Sequence, residues 1–223
     1  MSAKELARFI DHTLLAPGAT AADVARLCAE AREHAFAAVC IRREWVKLAR
    51  GLLARSGVRV AAVVDFHEGA GTTEARVAEA GAAVRDGAEE LDLVAPLPTL
   101  RAGHYARVFE DLRAVIAPSP VPVKVILETV LLTADQKVAA ASIALAAGAA
   151  FVKTSTGFAG GGATVEDVTL LKAVVRDRAE VKASGGVRTA ADAAAMIAAG
   201  ATRIGTSAGI AIVTGSLGEP GTY

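Results

Sequence analysis

Two lysines sit in short apolar runs that look like buried strands. Lys153 closes Phe151-Val152-Lys153 and leads into Thr154-Ser155-Thr156-Gly157, while Lys182 follows Val181 and leads into Ala183-Ser184-Gly185-Gly186. Charge seldom enters such strands without a partner or a task. If adjacent parallel strands carry both amines to one mouth, each cation penalises protonation of the other, and partial burial adds to this. Both pKa values are therefore expected to fall. A neutral amine attacks aldehydes and ketones and forms a Schiff base. A third lysine, Lys124, occupies the preceding apolar run, Val121 to Glu128. Three costly cations near Asp92, Asp65 and Glu128 exceed what a structural core needs, so at least one lysine is expected to be catalytic.

Such groups need a framework that brings strand ends together. Short apolar runs alternate with alanine-rich segments throughout the 223 residues. Candidate strands are Phe9 to His12, Ala37 to Ile41, Val58 to Asp65, Glu90 to Ala95, Val121 to Glu128, Phe151 to Lys153, Glu180 to Ala183 and Thr202 to Gly205. Candidate helices are Ala21 to His34, Thr73 to Asp86, His104 to Ile116, Ala134 to Ala147, Val165 to Asp177 and Ala190 to Ala199, and Gly87, Gly148 and Gly200 mark three of their ends. The pattern predicts an α/β fold, a single (β/α)8 TIM barrel spanning 1–223 with a short helix at its N-terminus. An open doubly wound sheet is the alternative, since periodicity does not establish closure. The segment 216–223, with Gly218, Pro220 and Gly221, is expected to be a flexible tail.

In a barrel, polar residues at the carboxyl ends of strands converge on one mouth. Asp11 and His12, Cys40, Asp65, Asp92, Lys124 and Glu128, Lys153 and Lys182 all fall near such ends. Gly157, the pair Gly185 and Gly186, and Gly205-Thr206-Ser207 follow the last three strands. There, glycines permit close backbone approach and helix N-termini offer free N–H groups, as a phosphate cradle requires. Tight turns are the ordinary alternative for any one of them. Arg188 either assists the phosphate or makes a surface ion pair.

Other classes of function lack support. Lys plus Arg and Asp plus Glu both number 24, so no global charge favours nucleic acid. The run Asp65-Phe66-His67-Glu68-Gly69 has no zinc-ligand spacing, and Gly69, Gly71 and Gly81 make no dinucleotide fingerprint; no metal or organic cofactor is expected. No apolar stretch is long enough to span a bilayer. Cys28 and Cys40, in apolar surroundings, suggest reduced thiols and a cytoplasmic protein.

Taken in order, Asp11-His12-Thr13-Leu14-Leu15, Lys124 to Thr129, Phe151 to Phe158, Val181 to Thr189 and Arg203 to Ser207 resemble the deoxyribose-phosphate aldolase family of class I, Schiff-base enzymes, over nearly the whole chain. The resemblance implies reversible cleavage of 2-deoxy-D-ribose 5-phosphate to D-glyceraldehyde 3-phosphate and acetaldehyde, without a cofactor. It implies that Lys153 forms the Schiff base, Lys182 lowers its pKa, and Asp92 joins the proton relay. Thr13, Cys40 and Lys124 would line the substrate pocket, Gly157, Gly185, Gly186, Gly205 and Ser207 would hold phosphate, and the terminal Tyr223 would reach the site. A homodimer or homotetramer is expected. The chain departs from the family pattern at Arg42-Arg43, where Asn-Pro is common. It departs again at Asp65-Phe66-His67-Glu68-Gly69, where a glycine and a proline are replaced, and Ala208 stands where a second serine is sometimes found. An aldolase for another small phosphorylated aldehyde, and a non-catalytic phosphosugar-binding barrel, are the competing readings.

Overall fold

Threonine hydroxyls set the starts of five crossover helices. Thr20, Thr72, Thr133, Thr164 and Thr189 each accept a backbone N–H three residues on. With Asp23, Gln136 and Asp192 reaching back, three of these become reciprocal capping boxes. At the other end, Gly87 and Gly148 adopt left-handed conformations that stop two helices.

The computed structural model describes residues 1–215. Its helices are α1 Ala3–Ala7, α2 Ala21–Glu33, α3 Val46–Leu52, α4 Thr73–Asp86, α5 Leu97–Arg101, α6 Tyr105–Ile116, α7 Ala134–Ala147, α8 Val165–Val175, α9 Ala190–Ala198 and α10 Gly209–Thr214. Its strands are β1 Ile10–Leu14, β2 Ala38–Ile41, β3 Arg59–Val64, β4 Glu90–Val94, β5 Val123–Ile126, β6 Phe151–Lys153, β7 Glu180–Ser184 and β8 Arg203–Thr206. Neighbouring strands pair in parallel in chain order, and β8 returns to β1. The sheet is a closed barrel, which settles the choice against an open sheet.

All eight expected strands form, with trimmed ends. The fifth is shorter than expected, because Pro122 lacks an N–H and Glu128 turns into a left-handed conformation. Asp65 has φ near 53° and so ends the third. Helices α3, α5 and α10 were not expected; none has a side-chain cap at its start.

Outward-facing strand residues such as Val39, Ala62, Leu91, Leu93, Val125, Val152, Val181 and Ile204 join the helices in one apolar core. Inward-facing residues are unlike the branched aliphatics that fill many barrels. They include Asp11, Glu90, Asp92, Lys124, Lys153, Lys182 and Arg203, all buried. The apolar layer thus lies outside the ring of strands, and the polar layer lies within it.

Candidate active site

Lys153 and Lys182 are direct partners across the β6–β7 ladder, and both amines reach one atom. Asp92 Oδ2 accepts from Lys153 Nζ at 2.7 Å and from Lys182 Nζ at 2.8 Å. Asp92 Oδ1 accepts from Lys124 Nζ at 2.7 Å. Lys182 also donates to Asp11, whose other oxygen accepts from Arg203 at 2.7 Å. Arg203 forks onto Glu90 at 2.9 and 3.2 Å, and Lys124 lies 2.6 Å from the same carboxylate. Deeper still, the ring of Phe151 carries Arg203 and Lys124 over its face at 5.3 and 5.9 Å.

The expectation that crowding would lower the pKa of both strand lysines fails for Lys182. Burial does disfavour its charge, but Asp11 and Asp92 outweigh that and hold the ammonium above the usual lysine range. Lys124 is likewise raised: Asp92, Asp11 and Glu90 together overcome burial and the nearby Lys182. Burial opposes ionisation of Asp92 too, yet Lys124, Lys153 and Lys182 pull it well below the ordinary carboxylate range. Asp11 follows the same pattern under Lys182, Lys124 and Arg203, and so does Glu90 under Lys124 and Arg203. Glu90 and Arg203 had no assigned role in the sequence. Inside the barrel, the four cations Lys124, Lys153, Lys182 and Arg203 thus face the three carboxylates Asp11, Glu90 and Asp92. One positive charge is left over when all are ionised.

Above this network the surroundings turn apolar. Leu15, Cys40, Ala61 and Val63 form a small cluster separate from the main core, with Phe66 and Phe158 packed against it. Cys40 Sγ lies 3.8 Å from Asp92 Oδ2, and burial together with that carboxylate raises its thiol pKa. Thr13 is buried on β1, its hydroxyl donating to the Asp11 carbonyl at 2.9 Å.

The expected cradle glycines fall in different settings. Gly157 and Gly185 both have positive φ, and a Cβ on Gly185 would stand 2.8 Å from Gly162 Cα and 3.4 Å from Gly157 Cα. Ala163 N donates to Gly185 O at 2.9 Å, and Thr206 Oγ1 to Val187 O at 2.7 Å, tying the three loops together. Gly186 is exposed, and a Cβ there would meet nothing within 4 Å. Ser207, with Thr13 and Gly18, lines a cavity of about 470 Å³ whose other walls are the loop after β1 and helix α2. Gly205 differs from the others. It lies within β8, and a Cβ there would come within 2.9 Å of Lys182 Cε, so its bareness makes room for that lysine rather than opening a loop.

Other strand-end residues serve the framework. His12 faces outward and pairs with Glu30 of α2 at 2.7 Å. Asp65 accepts from Gly71 N and Arg76, and so organises its own loop. Glu128 accepts from the backbone and hydroxyl of Thr156, bracing the loop after Lys153. Arg188 is exposed, and its backbone N–H donates to Asp192. Among the described residues no group of three or more His, Cys, Asp or Glu side chains is placed to hold a metal ion, and no helix is long and apolar enough to cross a membrane. Tyr223 and the segment 216–223 lie outside the described residues.

A closed β/α barrel with amines and carboxylates meeting at its centre defines a barrel aldolase. Comparison with known proteins narrows the class. The DeoC/LacD family aldolase profile matches residues 6–215. Deoxyribose-phosphate aldolase of Carboxydothermus hydrogenoformans is 49% identical over 96% of this chain and 96% of its own length. That of Staphylococcus carnosus is 51% identical over 95% and 96%. The tetrameric deoxyribose phosphate aldolase from Aeropyrum pernix superposes with a TM-score of 0.89 at 32% identity, covering 96% of this chain and 91% of that one. The chain belongs to the DeoC/LacD aldolase family.

Proposed function

We propose that this protein is a class I aldolase that reversibly cleaves 2-deoxy-D-ribose 5-phosphate to D-glyceraldehyde 3-phosphate and acetaldehyde. The observation that carries the reading is the shared oxygen of Asp92, with Lys153 and Lys182 both bonded to it. Lys153 Nζ, having given a proton to solvent, adds to C1 of the open-chain sugar, and loss of water leaves an iminium. The C3 hydroxyl gives its proton to Asp92, directly or through a water, as the C2–C3 bond breaks. Its electrons flow into the iminium, so that glyceraldehyde 3-phosphate leaves and an enamine remains. Protonation at C2 and hydrolysis then release acetaldehyde.

Lys182 serves as a fixed charge. Its raised pKa keeps it an ammonium beside the reacting nitrogen. Asp92 is a poor base while three ammoniums surround it. When the Lys153 nitrogen becomes an uncharged enamine, one of those cations is gone, the interior charges balance, and Asp92 gains the basicity a relay needs. Cys40, Thr13 and Lys124 bound the pocket, and Gly157, Gly185, Gly186 and Ser207 receive the phosphate. Tyr223 is assigned to the relay by resemblance alone. The chain 1–223 is read as one cytoplasmic domain, as its two free, buried thiols suggest. A homodimer or homotetramer remains part of the proposal.

Incubation with acetaldehyde and borohydride tests it. Peptide mapping is expected to find a reduced two-carbon adduct on Lys153; an adduct on Lys124 or Lys182, or none, overturns the assignment.

A further inference from the structure

A stack of rings covers the apolar side of the mouth. His67 lies flat against Phe158, with centroids 5.1 Å apart and planes 15° apart. Phe66 meets Phe158 edge-on at 5.1 Å and 88°, and Arg42 sits 5.4 Å above the Phe66 ring while its Nε donates to Leu15 O at 2.9 Å. Both segments that depart from the family pattern therefore meet at this wall. Phe66 and Phe158 close over Leu15, Cys40, Ala61 and Val63. Lys153 is left only 3% exposed.

This patch begins at the reacting amine, because Cys40 Sγ lies 3.8 Å from the Asp92 oxygen that holds Lys153 Nζ. The loop after β6 supplies both Phe158 to this wall and, one residue earlier, Gly157. Carbons bound directly to Nζ thus meet the apolar side chains of Cys40, Ala61 and Val63, with Phe66 and Phe158 packed on them, and burial beside Asp92 holds the Cys40 thiol neutral. A small aldehyde without a hydroxyl on its second carbon suits such a wall. The size of the space depends on where Phe158 rests, and His67 is the ring stacked on it.

We infer that His67 is a positioning residue for donor specificity: by stacking on Phe158 it fixes the wall that admits a two-carbon aldehyde and rejects longer ones. The inference rests on the aldolase reading above. Stacking, rather than proton transfer, is the role, so phenylalanine should replace histidine and alanine should not.

The test uses the full-length protein in aldol addition to D-glyceraldehyde 3-phosphate, with acetaldehyde or propanal as donor. For His67→Ala the KM for acetaldehyde is expected to rise about three- to tenfold, the scale of one lost ring contact. The preference for acetaldehyde over propanal should shrink, with the KM for glyceraldehyde 3-phosphate unmoved. His67→Phe should restore the parental values. If His67→Ala fails to fold, Phe158→Leu should shift the donor ratio in the same direction. A parental donor ratio in His67→Ala or, where that variant is unfolded, in Phe158→Leu overturns the inference. So does a His67→Phe protein as impaired as His67→Ala. A parent protein inactive with both donors sinks the aldolase reading itself, a result distinct from an active parent whose variants do not shift.

Discussion

At the scale of single residues, Lys182 carries the sharpest expectation. It is wholly buried between Asp11 and Asp92, so Lys182→Leu strands two carboxylates that lose a partner. Breaking such a pair costs about 3–5 kcal/mol, and a lower melting temperature is expected. Activity on 2-deoxyribose 5-phosphate should drop at neutral pH and recover partly toward alkaline pH, because the fixed positive charge beside Lys153 is gone. A folded variant with the parental pH profile would remove Lys182 from the mechanism. The lysines were legible in the sequence because a charge inside an apolar run is conspicuous. Their carboxylate partners were only half legible. Asp11 and Asp92 stood out as strand-end acids, but Glu90 and Arg203 did not, and without them the raised pKa of Lys182 had no visible cause. His12 misled for a different reason: alternation along β1 turns it outward to Glu30, one residue from the inward Asp11.

Among the elements, the three loops after β6, β7 and β8 carry the proposed phosphate cradle. Gly186 has φ of 78° and open space beyond its Cα. Gly186→Glu should place an anion there and weaken use of 2-deoxyribose 5-phosphate far more than use of free 2-deoxyribose; equal losses for both would mean a general packing defect instead. Elements were readable to the degree that they carried local signals. The five threonine-capped helices were found at or near their starts, and all eight strands followed from alternation with them. The helix α3 follows a 3₁₀ turn at Arg43–Trp45, α5 starts after Pro96 and α10 after Ala208, and tertiary packing rather than a cap holds each in place. Closure of the barrel was a matter of long-range pairing between β1 and β8, which no local pattern encodes.

For the whole molecule, the interior charges tie stability to pH. Asp11, Glu90 and Asp92 have pKa values lowered by folding. Their contribution is therefore complete above the unfolded carboxylate range, near about pH 4, and is lost as pH falls below it. Lys124 and Lys182 are raised by folding. Their contribution is complete below the unfolded lysine value of about 10.4 and is lost only as pH climbs past it. Denaturant midpoints should thus form a plateau through neutrality and fall steeply on the acid side; a midpoint that held constant down to about pH 3 would contradict the coupling. The same charged layer has a cost for the fold that harbours it. Buried ion networks are often no more stable than well-packed aliphatic residues of similar volume, and the ring of strands is already supported from outside by a continuous apolar core. Selection for thermal endurance alone would favour filling this barrel with leucine and methionine. The proposed catalysis, rather than durability, accounts for amines kept at its centre.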